Sequence, residues 1–223
     1  MTSFSPSKML TFDLETTSAN PFEARIVTSA LVRIEGSNVQ PEELLADPGV
    51  EIPVEAQKVH GITTEYAREH GKPHDEVVAH TVQAIQKAWE EGLTLIVFNA
   101  PYDLTVLGQL SPGFVVSGPV YDPFAIDKIK DPYRKGKRTL TDLCALYDVK
   151  LDNAHEATSD ALAAARIAWK QVRQWPDLGT MPIDELMEFQ AVGYYRSQES
   201  FKRYLEGKGS DASSVNLSWP MQS

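Results

Sequence analysis

The chain has 223 residues, of which 42% are hydrophobic and 23% charged. That suits one folded domain of moderate size with an appendage, and excludes global disorder. The net charge of −10 argues against a passive duplex-coating protein, which needs a basic face.

No apolar run approaches the roughly 18 residues of a membrane span. The first ten residues, "MTSFSPSKML", lack the apolar core and cleavage site of a signal peptide. Cys144 is the sole cysteine and cannot form an internal disulfide, so a reducing, cytoplasmic setting is expected.

In chain order, "KMLTFDLET" reads as a strand. "ARIVTSALVRIEG" is a second, with β-branched residues and a Gly-Ser turn behind it. A third strand runs through "NVQPEELLADP", interrupted by Pro41, and three strands in a row imply an antiparallel meander. Residues 47–69 are punctuated by Pro and Gly and read as mostly irregular.

"PHDEVVAHTVQAIQKAWEEG" is a helix. Pro73 lies near its start, Asp75 and Glu76 in its first turn, and Gly92 past its end. "LTLIVFNA" is a continuously apolar strand of the kind buried on both faces. "YDLTVLGQL" follows as a short helix. Residues 121–138 read as loop-rich, and "TLTDLCALYDV" as a helix capped by Thr139 or Thr141.

"SDALAAARIAWKQVRQW" is a strong Ala-rich helix, and a last helix extends to about Lys208. Trp219 suggests an anchored tail. Strands first, then strand and helix in alternation, define an α/β fold. The sheet is mixed, antiparallel strands first and parallel strands after, and helices flank it. A boundary at the proline-rich turn divides residues 1–178, a catalytic body, from residues 179–223, a helical C-terminal extension.

Three acidic spots stand out. Asp13 and Glu15 are two apart in the first strand, so they share a face. Ionised and desolvated together, they need a proton, a cationic side chain or a metal between them. Hard oxygen ligands suit Mg²⁺ or Mn²⁺. An isolated D-x-E also fits a solvated edge strand.

Asp103 follows the apolar strand where a helix begins, with Asn99 at the same edge. Carboxyl ends of strands are where α/β sheets gather ligands. A helix cap is the plainer role for such an aspartate. Asp160 opens the Ala-rich helix, five positions after His155, and reads alone as a capping turn beside a surface histidine. Together the four carboxylates fit a two-metal phosphoryl site. An imidazole titrates near neutral pH, so a histidine beside such a site can take a proton from water.

At these residues the sequence resembles the DEDD exonucleases, specifically the DEDDh or DnaQ-like branch. That branch includes the proofreading subunit of bacterial replicative DNA polymerase. "FDLETT", "VFNAPYDLTVL" and "HEATSDALAAARI" are similar to its three motifs, and "KVHGIT" to a segment between the first two. The likeness covers residues 8–173. It implies a ribonuclease H-like fold and a 3′→5′ exonuclease with two Mg²⁺ or Mn²⁺ ions.

By the same resemblance, Asp13, Glu15, Asp103 and Asp160 hold the metals and His155 is the general base. Leu14 packs on the terminal base, Thr16 meets the 3′ end, and His60 and Asn99 lie near the terminal nucleotide. The strand alternation points Leu14 away from the acids, so that contact needs a local bend. Phe98 stands where many members have histidine.

The implied partners are single-stranded or frayed 3′ ends, DNA favoured, and a DNA polymerase. A 3′→5′ exoribonuclease of the same family, and a catalytically silent nucleic-acid or polymerase-binding module, are the alternatives. "FDLETT" also has a superficial likeness to haloacid-dehalogenase-type phosphatases, but "HEATSDA" lacks their last motif.

Residues 127–138 form a basic island with Lys128, Lys130, Arg134, Lys135, Lys137 and Arg138 around Tyr133. Cations interleaved with an aromatic suit a single strand. The last helix repeats Ile183, Leu186, Phe189, Gly193, Tyr194, Phe201 and Tyr204, a pattern read as packing. His70, His74, His80 and Cys144 show no metal spacing and are read as structural.

Overall fold

The computed structural model describes residues 2–151 and 154–222. β1 (Lys8–Thr16), β2 (Ile26–Glu35) and β3 (Asn38–Asp47) pair antiparallel in turn as the expected meander. Pro41 does not interrupt β3, because at that point the strand is an edge: Lys72 and Pro73 beyond it pair only with Ala46 and Asp47. Then come α1 (Val54–His60), α2 (Thr64–His70), a two-residue β4 (Lys72–Pro73) and α3 (His74–Glu90). β5 (Thr94–Val97), α4 (Ala100–Leu110), β6 (Val120–Tyr121) and α5 (Pro123–Lys130) follow. α6 (Leu140–Tyr147), α7 (Ala157–Gln174), α8 (Asp177–Thr180) and α9 (Ile183–Gly207) complete the described elements. The sheet order is β4-β3-β2-β1-β5-β6, with β5 parallel to both β1 and β6. None of the helices among the described residues is long and apolar enough to cross a membrane.

Two stretches expected to be irregular or loop-rich are partly helical. In residues 47–69 the punctuation supplies helix ends. Gly61 closes α1 at φ +77°, and the Thr63 side chain accepts from the Tyr66 N–H to start α2. In residues 121–138, Asp122 caps α5 by accepting from the N–H groups of Phe124 and Ala125, with Pro123 preset at the first position.

Alternation along β1 sorts its side chains. Leu10, Phe12 and Leu14 are buried with Val78 and Ile85 of α3 and Leu104 of α4. Met9 packs on the other face with Ala164, Ala165 and Ala168 of α7. Alanines let α7 lie close to the sheet: Ala157 and Ala161 touch Ala30 and Val32, and the Thr11 hydroxyl donates to the Ala161 carbonyl at 2.6 Å. This close seat brings the start of α7 beside the acidic end of β1.

The last helix is joined to the body. Leu186 is fully buried, and Gln190 accepts from the Asp122 N–H at 2.8 Å while donating to the Val120 carbonyl at 2.9 Å. It thereby satisfies backbone groups at β6. The division expected between residues 178 and 179 falls inside α8. The tail is anchored, as Trp219 implied: the Gln222 N–H donates to the Thr105 hydroxyl at 2.7 Å.

Candidate active site

Asp13 and Glu15 lie on the α7 face of β1. That strand is central, with β2 on one side and β5 on the other, so the solvated-edge reading of D-x-E fails. Asp103 and Asp160 come to this strand end from opposite faces of the sheet, in the first turns of α4 and α7.

Neither helix-borne acid is a cap. Asn99 stands at the α4 N-cap with φ +62°, and Asp103 accepts the Leu14 N–H of β1 at 3.2 Å. Glu156 stands at the α7 N-cap without a side-chain cap bond, and Asp160 accepts the His155 N–H at 3.2 Å. Helix N-termini carry positive potential, which favours acids there.

Burial, and then neighbouring acids, raise the proton affinity of this cluster in the metal-free protein. Burial raises Asp13 well above the ordinary carboxylate range, and Asp103, Glu15 and Asp160 raise it further. Glu15 is pushed up to about 8 by burial, then by Asp160 and Glu43. Burial raises Asp103 against the pull of the Leu14 N–H, and Asp160 against that of the His155 N–H. No Lys or Arg figures among the causes.

A divalent cation fits this donor set. Glu15, His155 and Asp160 each offer a ligand atom within 4.8 Å of the others. Asp160 Oδ1 is buried with no protein partner. A hard cation would meet that orphaned oxygen and relieve the repulsion.

The acids stand between two cavities. One, of about 790 Å³, is lined by Asp13, Leu14, Asn99, Asp103, Lys128 and Arg138 among others. The second, of about 260 Å³, includes Glu15, Glu43, His60 and His155. Leu14 reaches the first cavity although it packs on the α3 face, next to a register shift between Glu15 and Thr16. The Thr16 hydroxyl donates to the Ser18 carbonyl at 3.1 Å and touches the Tyr102 hydroxyl. Burial first raises Tyr102 to about 12. His60 accepts the Ile62 N–H at Nδ1, its Nε2 is buried without a partner, and burial lowers its pKa. Phe98 lines the first cavity and packs on Phe124 with ring centroids 5.7 Å apart.

The basic island is divided. Arg134 and Arg138 both bind the buried Asp127 carboxylate, Arg134 at 2.9 Å, so they tie the loop down. Lys130 pairs with Asp177 at 2.5 Å. Lys128, Lys137 and Arg138 line the larger cavity, whereas Tyr133 is 93% exposed away from it.

Two acids at this end went unread in the sequence. Glu43 of β3 accepts from both the N–H, at 3.2 Å, and the hydroxyl of Thr158 in the first turn of α7. Asp122 accepts the N–H groups of Asn99 and Ala100, each at 3.0 Å. Glu43 acts across 115 residues, and no local pattern announces it. Asp122 had a signal, the cap-and-proline pair Asp-Pro.

A mixed sheet with clustered carboxylates at a central strand end, met by two helix N-termini, defines a ribonuclease H-like nuclease fold. A family model described as exonuclease matches residues 10–168, and the chain belongs to that family, in its DEDDh, DnaQ-like 3′→5′ branch. The PolC-type DNA polymerase III of Halalkalibacterium halodurans is 27% identical over 199 residues, 86% of this chain and 13% of the polymerase. The chain thus spans about an eighth of that relative.

Among solved structures, E. coli exonuclease I in a zinc-bound complex with single-stranded DNA has a TM-score of 0.65 at 19% identity. That match covers 80% of this chain and 42% of the other. Exonuclease X in complex with 5′-overhanging duplex DNA has a TM-score of 0.61 at 17% identity, over 82% and 99%. These two likenesses concern the fold.

Proposed function

We propose that the chain is a metal-dependent 3′→5′ exonuclease that removes nucleoside 5′-monophosphates from single-stranded or frayed DNA ends. The observation that carries this is the meeting of Asp13, Glu15, Asp103 and Asp160 from three distant segments, where burial raises each of them and neighbouring acids raise Asp13, Glu15 and Asp103 further. Asp13, Glu15, Asp103 and Asp160 would hold two Mg²⁺ or Mn²⁺ ions. Such ions make water nucleophilic near neutral pH and stabilise the leaving oxygen of a phosphodiester.

The chain's own residues do the rest. His155 is exposed beside Glu15 and Asp160, where its imidazole takes a proton from the attacking water. The water oxygen bonds to phosphorus as the bond to the 3′ oxygen breaks, leaving a 5′-monophosphate and a chain shortened by one nucleotide. Leu14 packs on the terminal base from the wall of the larger cavity, and Asn99 lines the same wall. Thr16 meets the 3′ end beside Tyr102, and His60 faces the terminal nucleotide from the smaller cavity. Lys128, Lys137 and Arg138 give the larger cavity a cationic side suited to phosphates.

DNA is favoured because two of the fold relatives were solved in complex with DNA. The PolC-type relatives make association with a polymerase the corresponding partner proposal. The test is digestion of matched DNA and RNA oligonucleotides, labelled at the 5′ end, with Mg²⁺ or Mn²⁺. A ladder shortening from the 3′ end, faster on DNA and absent in EDTA, is expected. A faster RNA ladder makes the enzyme an exoribonuclease. No cleavage, together with equal binding of the oligonucleotide by Asp13→Ala and wild type, makes it a silent binding module.

A further inference from the structure

We propose that Asp122 is a positioning residue for the nuclease site. Its carboxylate sets where α4 begins, and so where Asp103 stands, and Trp219 of the C-terminal tail belongs to the same clamp. The inference rests on the exonuclease reading above and adds a residue and a tail contact to it.

Asp122 is fully buried. Its Oδ1 accepts the N–H groups of Asn99 at 3.0 Å, Phe124 at 3.0 Å and Ala125 at 3.2 Å. Its Oδ2 accepts from Ala100 at 3.0 Å and from the Trp219 indole at 3.3 Å. Five N–H donors from three parts of the chain thus meet on one carboxylate. Two belong to the start of α4 and two to the start of α5, where helix dipoles favour an anion.

The α4 start needs such a clamp. Asn99 holds a left-handed backbone, φ +62° and ψ +52°, and its own side chain makes no cap bond. A non-glycine residue in that region persists where its surroundings impose it. Asp103 is one helical turn further on and accepts the Leu14 N–H of β1. A change in how α4 enters therefore moves Asp103 relative to Asp13.

The tail reinforces the same helix. Gln222 donates to Thr105, and Met221 Cε sits where a side chain on Gly108 would begin. Gln222 and Met221 thus meet α4 at Thr105 and Gly108, and Trp219 reaches its first residue through Asp122.

The test is Asp122→Asn and Trp219→Phe in the full chain. The asparagine keeps size and one acceptor but turns an amide N–H₂ toward N–H donors. With unchanged circular dichroism, Asp122→Asn is expected to lower kcat about 10- to 100-fold, a range set by displacements near 1 Å, with KM for single-stranded DNA unchanged. Direct titration with Mn²⁺ alone, read by electron paramagnetic resonance, is expected to show severalfold weaker binding. Trp219→Phe keeps the ring packed and removes one donor, so a roughly two- to fivefold loss of kcat is expected.

Wild-type kcat and Mn²⁺ binding in Asp122→Asn, with only a lower Tm, would overturn the proposal and leave a helix cap. If Asp122→Asn does not fold, unchanged kcat and Mn²⁺ binding in Trp219→Phe overturn it. If wild type cleaves no oligonucleotide, the exonuclease reading fails by itself. The Mn²⁺ titration then decides this one, weaker binding in Asp122→Asn supporting it and equal binding overturning it.

Discussion

The two helix-borne acids reach β1 under different conditions. Asp103 is buried, accepts a strand N–H, and stands on a helix start held by the fully buried Asp122 and by the tail. Asp160 belongs to a helix that alanines pack on the sheet from its first residue, Ala157, and the outer side of its first turn is held by Glu43 through Thr158. One Asp160 oxygen has no protein partner, and His155 beside it is exposed at φ +68°. The α4 half is thus preorganised by protein contacts. The α7 half leaves Asp160 Oδ1 and the exposed His155 side chain open, and under the proposed mechanism ion and substrate would engage them.

The sharpest test of that contrast is Asp103→Ala. Turnover is expected to fall by at least about 10³, the scale of losing a preorganised electrostatic group. In EDTA the variant should melt no lower than wild type, because a source of carboxylate repulsion goes. Marked destabilisation in EDTA would make Asp103 a structural member of α4 and remove the contrast.

His155→Ala probes the open half. Turnover is expected to drop roughly 10²–10³, within the span of general-base removal. Thermal melting should change little, since the side chain is exposed, and Mn²⁺ binding should weaken only slightly, because all four carboxylates remain. Unchanged turnover would take His155 out of the mechanism.

Glu43→Gln asks how firmly the start of α7 is held. Loss of the charged cap on Thr158 is expected to cost about 1 kcal/mol of stability. A severalfold loss of turnover is expected with it, because Asp160 rides on that turn. Full activity would mean that Asp160 is placed by the alanine-packed helix body alone.

How much of this was legible in the sequence follows the same division between local and distant. The meander, α3, β5 and α7 were readable because alternation and 3.6-residue periodicity are local signals. α1, α2 and α5 were hidden because they are short and begin or end on Pro, Gly and Asp, which also mark loops. The acids of β1, α4 and α7 were legible as a set through their motifs. The two clamps were not: Glu43 and Asp122 act on backbone N–H groups 115 and 22 or 23 residues away, and only the fold brings them there. The basic island looked uniform in sequence, yet the buried Asp127 takes two of its arginines.

The smallest expected effect concerns pH, and it isolates Glu15, the acid between the halves. Its pKa in the folded, metal-free protein is about 8, against 4.5 for an ordinary glutamate. Folding therefore takes up a proton between those values. The corresponding stability is fully present below about 4.5 and is lost as pH rises through about 8. In EDTA, Tm should fall from pH 5 to pH 8, each pH unit in that window costing up to about 1.4 kcal/mol and each kcal/mol moving Tm by roughly 2–4 °C at this size. Glu15→Gln cannot ionise and should show a shallower fall over the same range. Added Mn²⁺ should raise Tm most at pH 8, where the cation replaces the missing proton, and less in Glu15→Gln. Parallel curves for the two proteins would mean that Glu15 is solvated rather than caged. The two halves of the site would then not be joined through β1.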